Sequence, residues 1–460
     1  MDNILQTIYS WVWGVPLLTL LMGAGIFLTI ALRGIQFRYL GYALRLAFGL
    51  EEKKEGKGDL SHFQSLMTAL AATMGIGNIA GVATAFVVGG PGALFWMWVT
   101  AILGMATKYS EALLAQKFRV TDKRGEIAGG PMYFIERGLG WKWLAVAFAF
   151  FGVISSFGGG NILQANSVAA VIQATFSIDP LYSGIVLTVL IGITLLGGVK
   201  SIGRVASLLV PLMALLYIGG ALVVILSRVS EVPRAVVEIF TAAFVPQAVL
   251  GGVLGSSLLV AIQTGLSRGL MTSESGLGTA SIVAAAAKSD HPGRQAMVSM
   301  TGSFLATVVM CSVTALVLGV TGVLGLKAED GSFITGAALT VKAFESVLPV
   351  GGGIIVAVGL ILFAFTTLIG WSYYGEKCVE YMVGEKVIPY YRVLFTLVVL
   401  PGALLKLEVV WILADIANGL MAFPNLIALF ALSPVILSET KEFLAILKKE
   451  KSGTHSSVVP

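Results

Sequence analysis

Met74-Gly75-Ile76-Gly77-Asn78 interrupts one long apolar run of the chain, and Ser275-Gly276-Leu277-Gly278-Thr279 interrupts another run 201 positions later. Each stretch places two glycines at i and i+2 beside small polar residues. Because glycine costs a helix about 1 kcal/mol relative to alanine, each pair favours local unwinding. Gly77-x-x-x-Gly81 also fits a close contact between helices, which is the alternative interpretation of a single pair. The matched positions in two runs favour paired helix breaks instead.

The composition indicates a membrane protein. Of the 460 residues, 57% are hydrophobic and 12% are charged, whereas a soluble domain carries about 25% charged residues. Cys311 and Cys378 lie in separate hydrophobic stretches, so neither a disulfide framework nor a metal site is predicted. Apolar runs of about 20 residues, long enough to cross a hydrocarbon core of ~30 Å, recur along the chain. They predict an all-α polytopic protein with about eleven transmembrane helices at 14–33, 63–88, 91–116, 142–174, 181–199, 205–228, 247–287, 296–323, 351–377, 387–404 and 408–437.

The order of these spans predicts an inverted repeat. One glycine pair lies in the second span and the other in the seventh, so the two segments cross the membrane in opposite directions. Two five-helix repeats of opposite orientation, with the first span as an addition, produce this pattern. The predicted domains are an extra N-terminal helix with a cytoplasmic interfacial helix (1–61), a first repeat (62–228), an extracellular linker (229–246), an inverted second repeat (247–437) and a cytoplasmic tail (438–460).

The segments between the spans are expected to be surface elements. Residues 36–50 predict an interfacial helix, and residues 231–246 and 332–348 predict amphipathic surface segments. The tail from Lys441 is polar and is expected to fray. The seventh run is too long for one straight crossing, which predicts either a surface segment or bent half-helices within it.

The distribution of basic residues predicts the orientation. With the N-terminus outside, 24 of the 30 lysines and arginines fall in cytoplasmic segments, as the positive-inside rule requires. We therefore expect a multi-pass protein of the cell membrane with a cytoplasmic C-terminus. The net charge of +5 follows from this topology, so no nucleic-acid partner is needed to explain it, and no protein partner is inferred.

Unwound backbone inside a membrane span provides the chemistry of a transporter. Such backbone is tolerated only where it is buried in protein or lines a cavity. Its free N–H groups suit a carboxylate, and its free carbonyls suit Na⁺, a hard cation that prefers oxygen. Gly75–Ala80 matches a dinucleotide fingerprint and Gly265–Gly269 a nucleophile elbow, but no strand precedes either. We expect neither an enzyme nor a channel, since a catalytic cluster and a pore motif are both missing.

A sixteen-residue stretch carries a family resemblance. Gly89-Gly90-Pro91-Gly92-Ala93-Leu94-Phe95-Trp96-Met97-Trp98-Val99-Thr100-Ala101-Ile102-Leu103-Gly104 resembles the signature of the alanine or glycine:cation symporter family, the sodium:alanine symporters. The resemblance implies a LeuT-like fold and Na⁺-coupled import of alanine or glycine by alternating access. The alternative is a proton-coupled or broader carrier of small neutral amino acids.

The resemblance also implies positions for the substrate. The backbone at Gly75 and Gly77 would meet the substrate carboxylate, and the Asn78 side chain would complete that site. Met271 would lie against the substrate methyl group, and Trp371 would form the floor of a small pocket. Thr272, Ser273 and Gly276 are also expected around the substrate. Phe157, Asn161 and Gln164 lie near one helix face at i, i+4 and i+7, and this spacing predicts a third wall of the site.

The adjacent hydroxyls of Thr366 and Thr367 resemble the ion-ligand pair of this fold, and they imply a Na⁺ site with the backbone carbonyls near Ala71 and Met74. Threonines in membrane helices also bond their own i−4 carbonyl, which is the alternative interpretation.

Three charged residues inside the spans complete the expected site. Glu274 departs from the better-known pattern of this fold and is interpreted as a proton site, an ammonium partner or a structural carboxylate. Arg268 and Asp415 lie at comparable depth near the outer side, so they are expected to form an outer gate. The alternative is a permanent pair between Arg268 and Glu274.

Overall fold

A computed structural model describes residues 2–51, 56–245, 258–329, 331–405 and 408–451. The end of the predicted linker at 246, the start of the predicted second repeat at 247–257 and the end of the tail at 452–460 lie outside the described residues.

The described chain is almost entirely helical. The helices up to the linker are α1 (Asp2–Val12), α2 (Val15–Ala31), α3 (Ile35–Ala47), α4 (His62–Thr73), α5 (Ala80–Gly89), α6 (Ala93–Lys117), α7 (Pro131–Leu139), α8 (Lys142–Phe157), α9 (Leu163–Phe176), α10 (Pro180–Leu196) and α11 (Gly198–Ser227). The later helices are α12 (Val232–Ala242), α13 (Leu258–Ser273), α14 (Thr279–Ala285), α15 (Pro292–Ser303), α16 (Ser312–Thr321), α17 (Gly336–Glu345), α18 (Gly352–Val383), α19 (Ile388–Leu404), α20 (Glu408–Ala431) and α21 (Ser433–Lys451). Two short antiparallel strands, β1 (Val120–Thr121) and β2 (Ile127–Ala128), lie between α6 and α7.

The transmembrane helices follow the predicted spans. Seven helical stretches within the described residues are long and apolar enough to cross a membrane: Thr7–Ala31, Lys142–Phe176, Gly198–Ser227, Pro292–Thr321, Gly352–Val383, Glu385–Leu404 and Ile412–Ala431. The two interrupted spans are α4 with α5 and α13 with α14. The remaining two predicted spans correspond to α10, a shorter apolar helix, and to α6, which carries buried charged side chains. The predicted all-α polytopic fold is confirmed.

The outer surface of the bundle suits lipid. Large apolar side chains point away from the protein on several helices; Ile30, Leu196 and Leu215 are 71%, 78% and 73% exposed. Apolar surface on this scale is disfavoured in water and favoured in hydrocarbon. The core therefore lies along the bundle axis, where the two interrupted spans meet.

Both predicted helix breaks are confirmed. α4 ends at Thr73 and α5 begins at Ala80, while α13 ends at Ser273 and α14 begins at Thr279. In the second break Gly276 and Gly278 have φ values of +91° and +80°, a left-handed conformation that glycine adopts without strain. Glu274 also has a positive φ of +50°, which costs a residue with a side chain roughly 1–3 kcal/mol and marks a candidate functional site.

A glycine sets the distance between α18 and the first break. A Cβ atom on Gly370 would lie 2.8 Å from the backbone nitrogen of Ala72, so only glycine lets these two backbones approach. Three residues earlier on α18, Thr367 then faces the last turn of α4. This close approach positions the candidate cation site.

The predicted surface helices are present, but the tail differs from the prediction. α12 and α17 lie within the predicted amphipathic segments, and α3 begins one residue before the predicted interfacial segment 36–50. The expected fraying from Lys441 is wrong, because α21 continues to Lys451. Arg294 holds this helix: it contacts Glu450 at 2.8 Å and lies 5.6 Å from the centre of the Phe443 ring.

Candidate substrate and cation site

The two helix breaks touch at equivalent positions of the two repeats. Thr73 Oγ1 donates a hydrogen bond of 3.2 Å to Glu274 Oε2. These residues are 201 positions apart, the same spacing that relates Gly75 to Gly276. The contact therefore joins the repeats where each unwinds.

Glu274 is held at this junction by two hydroxyl donors. Besides Thr73, its carboxylate accepts a hydrogen bond of 3.0 Å from Thr279 Oγ1. The cation that acts on it electrostatically is Lys108. In the described part of the chain no ion pair within 4.0 Å joins Arg268 to Glu274, so the structure does not bring this alternative pair together.

The first break releases the two carbonyls that the sequence proposes for a cation. In an unbroken helix, Gly75 N–H would bond Ala71 O and Asn78 N–H would bond Met74 O. Instead, Gly75 N–H donates to Thr73 O at 3.1 Å and Asn78 N–H donates to Gly75 O at 3.2 Å. The carbonyl oxygens of Ala71 and Met74 thus lose their helical donors.

One of the two predicted hydroxyls reaches this place. Thr367 Oγ1 lies 3.2 Å from Ala71 O and 2.9 Å from Phe363 O. A Cβ atom on Gly75 would lie 2.9 Å from the same hydroxyl. Thr366 faces α11 instead, because its hydroxyl donates to Phe363 O at 3.0 Å and lies 3.5 Å from Met213 Sδ. The structure therefore groups Ala71 and Thr367 and leaves Thr366 apart from them.

Free N–H groups and an unpartnered amide oxygen flank the same break. Ile76 and Gly77 stand at the start of a 3-10 turn, and among the described residues their N–H groups donate no hydrogen bond. Gln164 donates through Nε2 to Gly159 O at 3.0 Å, while its buried Oε1 lacks a partner within the described chain. That oxygen is 3.9 Å from the place of a Cβ atom on Gly75. Anion donors and an ammonium acceptor are thus close together.

At the second break, the side-chain hydroxyls expected to face the substrate are already engaged in hydrogen bonds within the protein. The Thr272 methyl group would lie 3.7 Å from a Cβ atom on Gly77, but its hydroxyl is paired with Thr307 Oγ1 at 3.0 Å. Ser273 Oγ bonds Leu270 O within its own helix at 3.4 Å.

Gly276 O accepts a hydrogen bond of 2.8 Å from Asn425 Nδ2. It faces α20 through this contact.

Two residues of the expected third wall face elsewhere. Phe157 packs on the Tyr391 and Phe395 rings of α19, with centroids 5.6 and 5.5 Å away. Asn161 donates to Phe395 O at 2.7 Å. The predicted i, i+4, i+7 face assumed 3.6 residues per turn, whereas Gly158–Ile162 is a π-helical segment that inserts an extra residue into the turn. Of the three residues expected there, only Gln164 faces the first break.

Trp371 and Met271 have different neighbours. Trp371 packs directly on the backbone of Gly160 and edge-on against Tyr374, with ring centroids 5.6 Å apart. Met271 is half-buried, and its Sδ is 3.8 Å from Arg268 Nη1. Both side chains remain candidates for limiting the size of the substrate.

Asn78 is anchored away from the first break. Its side-chain Nδ2 donates to Ala306 O at 2.8 Å. Its backbone carbonyl accepts a hydrogen bond of 3.0 Å from Thr314 Oγ1. Ala306 lies in the second π-helical segment, Phe304–Cys311. The amide nitrogen thus connects the first break to that segment, and only Oδ1 remains without a partner in the described part of the chain.

The predicted gate residues are near each other without touching. Arg268 on α13 acts electrostatically on Asp415 of α20, but within the described residues no ion pair shorter than 4.0 Å joins them. Tyr9 of α1 interacts with both charges, and Trp13 donates to Asp415 O at 2.7 Å.

Sequence reasoning missed a set of buried polar side chains beside the second break. Lys108 and Glu111 of α6 are buried, and Glu111 Oε1 accepts hydrogen bonds from Asn425 Nδ2 at 2.7 Å and from Gly278 N–H at 3.2 Å. The available signal was the charge itself, because ionisable residues inside a membrane span are rare and mark functional sites.

Two five-helix repeats whose interrupted helices meet around free backbone groups define a secondary transporter of the LeuT-like class. The solved structure of MhsT in complex with L-phenylalanine shares the fold, with a TM-score of 0.57 at 14% sequence identity over 85% of this chain and 93% of that chain. The model of the sodium:alanine symporter family matches residues 1–457. The chain belongs to this family, as the sixteen-residue signature predicted.

Relatives along the whole chain agree with this membership. The sodium/alanine symporter AgcS of Methanococcus maripaludis is 52% identical over 453 residues, 97% of this chain and 98% of AgcS. The "Probable sodium/glutamine symporter GlnT" of Bacillus subtilis is 34% identical over 456 residues, 98% of this chain and 92% of GlnT. The protein is therefore a multi-pass membrane transporter of the cation-coupled amino acid symporters, and not an enzyme.

Proposed function

We propose that this protein imports alanine, and also glycine, together with Na⁺ by alternating access. The observation that carries the proposal is the meeting of the Thr367 hydroxyl with Ala71 O, at 3.2 Å, where the first break frees that carbonyl. A hydroxyl, freed carbonyls and a substrate carboxylate supply the oxygen ligands that Na⁺ requires. The free N–H groups of Ile76 and Gly77 lie on the same break, so carboxylate and cation bind as neighbours.

The expected substrate is small and zwitterionic. Its carboxylate accepts from the N–H groups at the first break, and its ammonium donates to Gln164 Oε1. Trp371 and Met271 leave room for little beyond a methyl side chain. The name of AgcS, which is 52% identical to this chain, supports alanine, whereas the name of GlnT supports the broader alternative.

The test is uptake of radiolabelled alanine into proteoliposomes with an inward Na⁺ gradient. Uptake should fall to the background of empty vesicles when choline replaces Na⁺ at the same pH and voltage. Equal uptake in the two salts would refute sodium coupling. Unlabelled glutamine that competes as well as alanine would favour the broader carrier.

The orientation in the cell membrane follows from the basic residues. We infer an external N-terminus and a cytoplasmic α21, since the lysines and arginines concentrate on that side. Single cysteines introduced at Ser10 and at Glu442, in a chain whose two native cysteines are replaced, test this. An impermeant maleimide added to intact cells should label the first position and spare the second, and the reverse labelling would invert the topology.

A further inference from the structure

A carboxylate outside the proposed Na⁺ site is buried without enough partners. Glu111 of α6 is only 1% exposed. Its Oε1 accepts from Asn425 and from the backbone N–H of Gly278, whereas its Oε2 has no hydrogen-bond partner in the described part of the chain. Unpartnered buried oxygens are rare in proteins and call for a specific explanation.

Two further buried oxygens near Glu111 also lack a hydrogen-bond partner within the described chain. The Tyr374 hydroxyl and Asn425 Oδ1 are buried and have no partner among the described residues. Tyr374 interacts electrostatically with Glu111 and Glu274, and Asn425 Oδ1 would lie 3.0 Å from a Cβ atom on Gly278. A hydrogen on Glu111 Oε2 would add a donor near these oxygens, of which Asn425 Oδ1 only accepts and the Tyr374 hydroxyl both donates and accepts.

The charges around Glu111 do not balance. The charged and titratable groups that act on it electrostatically are Lys108 from its own helix and Tyr374 from α18, and Lys108 and Tyr374 both act on Glu274 of the second break as well. Two carboxylates therefore share one ammonium, and Lys108 itself makes no hydrogen bond or ion pair within the described chain although it is 2% exposed. An uncompensated charge at such depth is strongly unfavourable, and one added positive charge removes the imbalance.

A proton fits this place better than a second Na⁺. A metal cation needs several oxygen ligands at once, and the Lys108 ammonium that already faces both carboxylates repels it. A proton needs one oxygen, and Glu111 Oε2 has no hydrogen-bond partner among the residues that the structure describes. We propose that Glu111, with Lys108 and Glu274, forms a proton-binding site at the second helix break, separate from the Na⁺ site at the first.

The same contacts connect the proton to the transport cycle. Glu111 Oε1 binds Gly278 N–H, and Asn425 joins Glu111 to Gly276 O. Any rearrangement of the Gly276–Gly278 backbone therefore changes the donors available to Glu111. Proton occupancy depends on the conformation of the break, and transport depends on pH through Glu111.

Infrared difference spectroscopy of the purified protein in lipid vesicles tests the site without relying on the proposed substrate. Between about pH 5 and about pH 9, the wild type should show the carbonyl band of a protonated buried carboxyl group, and Glu111→Gln should lack it. Glu376→Gln is the matched control, because Glu376 is equally buried but both of its oxygens are held by Arg392, at 2.7 and 2.8 Å. If Glu111→Gln cannot be recovered folded, Glu111→Asp should shift the band.

The outcomes separate this site from the proposed function. An identical band in wild type and Glu111→Gln would overturn the proton site, and so would loss of the band on replacing choline by Na⁺ at constant pH. Alanine uptake should vary several-fold with pH in the wild type and become flat in Glu111→Gln; an unchanged pH profile would overturn the link to transport. A wild type that shows the band but no alanine uptake would refute the proposed function and leave the proton site intact.

Discussion

Thr366 and Thr367 are neighbours in the chain, yet their hydroxyls face different elements. Each residue of a helix is rotated by about 100° from the one before it, so adjacent side chains cannot both face the first break. The geometry selects Thr367, whose hydroxyl reaches Ala71 O at 3.2 Å, over Thr366, which reaches Met213 Sδ. The sequence offered both residues equally, because spacing alone does not say which face of α18 is turned inward.

Thr367→Ala should raise the Na⁺ concentration for half-maximal uptake roughly two- to tenfold, since a net hydrogen-bond-like contact contributes about 0.5–1.5 kcal/mol. Alanine binding at saturating Na⁺ should change less. Thr366→Ala is the matched control and should leave the Na⁺ dependence near that of wild type. Titrations of uptake against Na⁺ measure this, and equal shifts in the two variants would contradict the assignment.

Met271→Ala should widen the substrate pocket and admit valine or leucine, because the removed side chain lies beside the second break and is only half-buried. Phe157→Ala is the control: its ring packs on Tyr391 and Phe395 rather than into the site, so it should lower stability without altering selectivity. Competition of unlabelled amino acids against labelled alanine measures both effects. Wild type that already accepts leucine as well as alanine would refute the pocket.

At the scale of elements, the site depends on two backbones that come unusually close. Gly370 lets α18 approach Ala72 at the end of α4, and this approach brings Thr367 to the first break. The glycine on α18 is therefore as necessary to the cation site as the glycines of the break itself.

Gly370→Ala should separate α18 from α4. Its Cβ would be 2.8 Å from Ala72 N, whereas a Cβ on Gly359 of the same helix would meet its nearest atom at 3.5 Å. Overpacking of this kind costs about 1–3 kcal/mol. We expect Gly370→Ala to lower the thermal stability of the purified protein and raise the Na⁺ requirement, and Gly359→Ala to change neither. A Gly370→Ala variant with wild-type Na⁺ dependence would contradict the packing argument.

The elements also show which parts of the site were readable from the sequence. The breaks were predictable because paired glycines disfavour helix locally, wherever the rest of the chain goes. The face of α8 and α9 was not, because the π-helical turn at Gly158–Ile162 changes the helical period. Lys108 and Glu111 could have been singled out as charges inside an apolar run. Their role could not be predicted, because only the fold shows which groups they contact.

At the scale of the whole molecule, α1 and α20 pack together near Arg268 of α13. Trp13 fixes the backbone of Asp415, and Tyr9 interacts with both Asp415 and Arg268. The two charges lie near one another but form no ion pair shorter than 4.0 Å within the described residues, so the gate between them stays a prediction. Within the described residues no ion pair shorter than 4.0 Å joins Arg268 to Glu274, whose carboxylate accepts hydrogen bonds from Thr73 and Thr279.

Charge reversal tests this gate. An unpaired charge at this depth costs at least ~2.5 kcal/mol, so Arg268→Asp and Asp415→Arg should each reduce alanine uptake strongly. The double variant re-forms an opposite pair across the same gap and should recover part of the activity. A swap of Arg268 with Glu274 is the control and should restore nothing, since those side chains do not meet. Uptake rates corrected for the amount of folded protein measure the four variants. Rescue by the second swap and not by the first would assign Arg268 to Glu274 and remove Asp415 from the gate.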